Sequence, residues 1–213
     1  MDKAYRGIAV EGRQTRPQPS PNTPEVRRLV MRLVDLLPLG GDVLEVEAGS
    51  GVLAVPLARA SRMRITALDS SATSIDAVRR NAEKAGVRID VQKANPAHMP
   101  FLDGSFDLVI CRAPMKSFPD PVGVLREMRR VLKPGRRGVI LNLRRDVPPE
   151  QVSRYVEARS TSLIGQMSAR LEFYLQCRST YTLHQFEALL SQVPFGSARI
   201  DGTPLGVELW FER

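Results

Sequence analysis

One stretch limits the possible folds more than any other: Val43–Gly51, which reads V-L-E-V-E-A-G-S-G. Four residues of a buried strand, Val43 to Val46, run into a glycine turn, and a helical pattern opens near Val52. Such a unit gathers free backbone N–H groups and a helix N-terminus at one point. That point favours an anionic or strongly polar part of a nucleotide-like ligand. The rest of the chain reads as a sheet built outward from this strand.

Residues 1–22 are polar and proline-rich, and are expected to be a flexible N-terminal segment or a flap in which Tyr5 and Ile8 fold over a ligand. Residues 23–213 are expected to form a single domain. Thr23-Pro24-Glu25 starts a helix whose apolar face is Val26, Leu29, Val30, Leu33, Val34 and Leu37. Strands are expected at 43–46, 63–68, 87–92, 106–111 and 138–143, with helices after the glycine turn, over 70–85 (capped by Ser71 or Thr73) and over 122–132. Five alternations of this kind imply a parallel sheet with right-handed crossovers. Beyond Pro148 two helix-like stretches, 149–159 and 161–177, precede a short helix over 184–192 capped by Thr182. Two final strands, 198–200 and 207–211, are joined by a glycine loop and read as an antiparallel pair.

A chain of 213 residues buries a core without disulfides or a structural metal. Its two cysteines, Cys111 and Cys177, read as reduced, which implies a cytoplasmic setting. No apolar run approaches the ~20 residues of a membrane span. The net charge of +8 comes mostly from arginine. It fits solvated helix faces, or an acidic partner. The arginines are scattered and lack interleaved aromatics, which argues against nucleic acid. Their densest cluster is Arg126, Arg129, Arg130, Lys133, Arg136 and Arg137. No Cys/His cluster has metal-ligand spacing, so no metal is expected.

In an open α/β sheet, ligands sit at the carboxyl ends of the strands. Here those ends are 45–51, 69–71, 95–96, 111–117 and 142–145. Asp69, 18 positions after Gly51, has the acceptor oxygens to hold a ribose diol, and equally the position of a helix cap. Gly49-Ser50-Gly51-Val52-Leu53-Ala54 also fits the G-x-G-x-x-A of nicotinamide dinucleotide sites, which keeps an NAD(P)-dependent oxidoreductase open as an alternative.

Four stretches carry a resemblance: V-L-E-V-E-A-G-S-G, A-L-D-S-S, M-P-F-L-D-G-S-F-D-L-V-I, and P-D-P-V-G-V-L-R-E-M-R-R-V-L-K-P-G. The late stretch T-L-H-Q-F-E-A-L-L-S-Q-V-P-F agrees with them. The chain resembles the class I S-adenosylmethionine-dependent methyltransferases, in the branch that acts mostly on small molecules, with a degenerate glycine motif. The resemblance implies a Rossmann-like, doubly wound α/β sheet of seven strands, mostly parallel with an antiparallel last strand. It implies methyl transfer from S-adenosyl-L-methionine to a small-molecule acceptor; separately, a monomer or homodimer is expected. By the same resemblance, Glu45 would fix the turn or meet the ligand's amino group through water. Glu47, Ala48, Gly49 and Gly51 would form the turn itself, and Asp69 would hold the ribose. Ser70, Asn95 and Pro96 would lie by the adenine, with Cys111 and Arg112 under the sulfonium.

The chain departs from the family at Glu47, where the first glycine of the turn is usual, at Asn95-Pro96, where an acid is usual, and at Lys116-Ser117, where a His pair often stands. These departures leave open a catalytically weak or inactive protein of the same fold, acting as a binding or partner subunit. Candidate proton-transfer groups are His98, Lys116 and Tyr174, with His184, Tyr155 and Tyr181 behind them. The apolar residues of 161–177 fit either core packing or a lid over an apolar substrate.

Overall fold

The computed structural model describes residues 23–213; the expected N-terminal flap, with Tyr5 and Ile8, lies outside them. Helix α1 (Pro24–Leu36) starts where the Thr23 hydroxyl accepts from the Val26 N–H, with proline in the first turn. Strand β1 (Asp42–Val46) leads through the glycine turn to α2 (Ala54–Ala60), then β2 (Arg64–Asp69) and α3 (Ala72–Ala85). The Ser71 hydroxyl, rather than Thr73, caps α3, and Gly86 ends it in the left-handed conformation. Strand β3 (Asp90–Lys93) begins three residues later than the expected start at Val87. The reason is local: the Val87 N–H closes the end of α3 on the Ala82 carbonyl, so it is unavailable for strand pairing.

Strand β4 (Phe106–Cys111) is buried along its whole length. Helix α4 (Pro121–Val131), capped by Asp120, runs directly into β5 (Leu132–Leu143). Pro134-Gly135 therefore lies within the extended stretch instead of separating it from the helix, and the β4–β5 register shifts between Phe106 and Leu108 to accommodate this. Helices α5 (Pro149–Arg159) and α6 (Leu163–Cys177) follow, then α7 (Leu183–Leu190), which opens on a reciprocal capping box between Thr182 and Gln185. Strands β6 (Ser197–Gly202) and β7 (Gly206–Glu212) close the chain.

The seven strands form one sheet in the order β3-β2-β1-β4-β5-β7-β6. β7 enters between β5 and β6 and runs antiparallel to both, while the other pairings are parallel. The core lies on both faces of the sheet. One layer joins Leu44, Val109, Ile140, Leu209 and Phe211 to α4 and α7; the other joins Val43, Ile65, Ile110 and Val139 to α1 and α2. Strand order reverses between β1 and β4, so the crevice at their carboxyl ends is the fold's natural ligand position.

Most of the basic cluster is committed to this framework. Arg130 binds Glu127, Asp103 and two loop carbonyls; Lys133 and Arg136 bind Asp107; Arg137 faces Glu212. The densest run of positive charge thus has acidic partners within the chain. Among the described residues no helix is long and apolar enough to cross a membrane.

Candidate active site

The residues after β1 turn sharply. Glu47 has φ 54°, and Gly49 and Gly51 have φ 61° and 78°. Glycine adopts such angles freely; for Glu47, which has a Cβ, the conformation costs on the order of 1 kcal/mol. The turn is held by the Ala48 N–H on the Leu68 carbonyl, the Gly51 N–H on the Ala48 carbonyl, and the Asn81 amide of α3 on the Ser50 carbonyl. A Cβ on Gly51 would come within 3.2 Å of the Val55 side chain, so the last glycine also serves the contact between the turn and α2.

Three carboxylates converge here. Asp69 is 2 % exposed; its two oxygens accept from the Gly49 N–H at 2.9 Å and the Ser71 N–H at 2.8 Å. It ties the end of β2 to the glycine turn and to the start of α3, so the diol-holding and helix-start readings fall on one side chain that already serves the second. Glu47 reaches across the same gap, its carboxylate accepting from the Ser70 N–H at 3.2 Å. Glu45 lies beneath them, 4 % exposed, with its Oε2 buried and unpartnered. Burial pushes its carboxyl up to about 7, against the opposing pull of Arg112 and the backbone N–H of Ala54, with the Asp69 charge adding to the rise.

The end of β4 closes the other side. Cys111 is fully buried, and burial raises its thiol to about 12, so it is no nucleophile at neutral pH. Glu47 and Glu45 both contribute to that rise, which places Cys111 within reach of the acidic cluster. The following loop is pinned by Asn142 of β5, which is 8 % exposed. Its Oδ1 accepts from the Met115 N–H at 2.8 Å, and its Nδ2 donates to the carbonyls of Ala113 and Leu141. The sequence places Asn142 at a strand end where a ligand would sit, but not as the group that pins this loop; its signal is an amide inside the otherwise apolar V-I-L-N-L. Glu127 and Arg130 were missed in the same way. Glu127 accepts from the Met99 N–H at 2.6 Å and from Arg130, fixing the loop between β3 and β4.

Glu45, Glu47, Ala48, Gly49, Gly51, Asp69, Ser70, Cys111 and Arg112 thus form one cluster of contacts and mutual charges. Asn95 does something else. It is exposed, and its Oδ1 accepts from the Ala97 N–H two residues on, a local turn in which Pro96 is buried. The proton-transfer candidates do not converge either. His98 is exposed and lies near Glu127 of α4. Lys116 is exposed on the 3-10 turn Met115–Ser117, and His184 faces Glu187. Tyr174 and Tyr155 pack around Phe173, and Tyr181 meets Phe186 edge-on. Among the described residues no group of three His, Cys, Asp or Glu side chains could hold a metal ion.

The family model for a methyltransferase domain matches residues 43–135, the segment from β1 through the start of β5 that builds this cluster. Over that segment the chain is similar to methyltransferase domains. The chain is 33 % identical over 114 residues to the 27-O-demethylrifamycin SV methyltransferase of Amycolatopsis mediterranei, a match covering 52 % of this chain and 42 % of that protein. It is 38 % identical over 103 residues to the ubiquinone/menaquinone biosynthesis C-methyltransferase UbiE of Bartonella henselae, covering 46 % of this chain and 40 % of the relative. The chain therefore spans less than half the length of these curated relatives. A SAM-dependent methyltransferase of Aquifex aeolicus shares the fold, with a TM-score of 0.61 over 91 % of this chain and 97 % of the other, at 14 % identity.

Proposed function

We propose that this domain transfers a methyl group from S-adenosylmethionine to a small-molecule acceptor, and that the cluster at the ends of β1, β2 and β4 holds the cofactor. The observation that carries the reading is a buried acidic site with open acceptor capacity. The Glu45 Oε2 has no partner, and the charge of Asp69 stands at the neighbouring strand end. Such a site matches a ligand whose centre is a sulfonium and whose tail carries an ammonium. When bound, the cofactor supplies an activated methyl on positively charged sulfur.

The residues then divide by chemistry. Gly49 and Gly51 give backbone room, and Asp69 holds the turn and offers its remaining lone pairs to a diol. Glu45 stabilises positive charge once ionised. The fully buried Cys111 and the loop pinned by Asn142 close the site from the β4 side. No positioned base emerges among the described residues, so the site's contribution to the acceptor is proximity and exclusion of water. The small-molecule reading is supported by the relatives, whose names specify quinone and rifamycin methylation.

Calorimetric titration with S-adenosylhomocysteine tests the reading. The wild-type chain is expected to bind, and Asp69→Asn to bind at least tenfold more weakly while staying folded. No heat at millimolar ligand would defeat the proposal.

A second reading is favoured by one observation. Glu47 stands in a left-handed conformation with its carboxylate on the Ser70 N–H, in the gap between the β1 and β2 ends. If the ligand needs that gap, the domain would be a binding or partner subunit with weak or no catalysis. Glu47→Gly would then bind S-adenosylhomocysteine where the wild type does not.

A further inference from the structure

Helix α6 has two apolar faces. Ala169, Phe173 and Cys177, four residues apart, turn inward to meet Val152 and Val156 of α5. On the opposite side Leu163, Ile164, Met167, Leu171 and Leu175 face solvent, and Tyr174 stands at the border, its ring edge against Phe173, with exposures from 48 % to 83 %. Six of the ten large exposed apolar residues among those described lie on this one helix face. The next elements in the chain do not cover it: α6 ends at Cys177, and α7 packs toward α4 and the sheet.

The spacing of the face is the informative feature. Ile164, Met167, Leu171 and Tyr174 recur at intervals of three, four and three, the seam of a two-helix coiled coil. The six positions are also symmetric about Ala169: Met167 mirrors Leu171, Ile164 mirrors Tyr174, and Leu163 mirrors Leu175. An antiparallel pair of identical helices related by a two-fold axis needs this symmetry, because each residue must meet the partner residue at the mirrored level. A substrate, a lipid surface or an unrelated chain does not require it. The face exposes several hundred Å² of surface, on the order of the ~800 Å² each partner contributes to a standard interface.

We propose that this face is a homodimer interface, in which α6 packs antiparallel against α6 of a second copy about a two-fold axis that crosses the exposed face at the level of Ala169. Met167 of each copy meets Leu171 of the other at the centre, and Ile164 meets Tyr174 in the flanking layers. The inference is independent of the cofactor reading.

Sedimentation velocity on the full chain tests it. The wild type is expected to show twice the 23.7 kDa chain mass. Leu171→Glu, at an exposed position, is expected to halve that mass. The double variant Met167→Lys with Leu171→Glu places opposite charges at the same level across the axis and is expected to restore the dimer. A wild type that remains monomeric at concentrations up to about 100 μM would overturn the proposal. So would a dimer that survives Leu171→Glu, or a failure of the double variant to restore one. Flotation with phosphatidylglycerol vesicles of a monomeric wild type, lost in Leu171→Glu, would assign the face to a membrane instead.

Discussion

Glu45 is the residue whose chemistry is most changed by the fold. An acid buried without a full set of partners keeps its proton, which is why burial lifts it from 4.5 to about 7. The folded state therefore binds this proton more tightly than the unfolded chain. The penalty is absent below pH 4.5, grows as pH rises through the interval up to about 7, and is complete above it. The full shift corresponds to about 3 kcal/mol. Glu45→Gln is expected to flatten the fall in stability between those pH values, measured by urea unfolding at a series of pH. A cationic ligand should ionise Glu45, so S-adenosylmethionine binding near pH 6 is expected to release a proton, seen as a buffer-dependent calorimetric enthalpy. Glu47 presents a different balance. Replacing it by glycine relieves the left-handed strain but loses the Ser70 contact and adds unfolded-state entropy, so stability should move by less than about 1 kcal/mol. Thermal unfolding checks this and separates a folding effect from a binding one. The sequence shows that Glu47 is out of pattern; where its carboxylate goes depends on the geometry of two strand ends and is visible only in three dimensions.

At the scale of elements, the loops around the site are fixed by side chains from elsewhere in the fold. Asn142 holds the Ala113–Met115 loop from the neighbouring strand, through one accepted and two donated hydrogen bonds. Asn142→Leu strands the Met115 N–H and the Ala113 carbonyl, and is expected to cost about 2–3 kcal/mol in urea unfolding. Glu127 plays the same part for the loop between β3 and β4, where the hydrogen bond from Arg130 holds its carboxyl below the usual range. These roles were hard to read in the chain because they join residues 27 and 28 apart in sequence, whereas caps such as Thr23, Ser71 and Thr182 act within one turn and were legible. Helix α6 shows the limit differently. Its apolar residues suggested core or lid, and only the placement of Phe173 and Cys177 against α5 shows that the larger apolar set faces outward.

For the whole molecule, the alternation of apolar strands and capped helices was enough to read the parallel sheet, and the glycine loop near the end enough to read an antiparallel pair. The insertion of β7 between β5 and β6 follows from pairings between distant segments, which periodicity does not encode. The site followed the same division. The turn, Asp69 and the β4 end lie together because β1, β2 and β4 are neighbours in the sheet. Asn95 and His98 do not join them, because the loop after β3 turns back on itself and toward α4. The account rests on this cluster being a cofactor site whose access Glu47 modulates. The most direct test is a paired calorimetric titration of the wild type and Glu47→Gly with S-adenosylhomocysteine. The account predicts measurable binding to the wild type and binding at least tenfold tighter to the variant; absence of binding to both at millimolar ligand would contradict it.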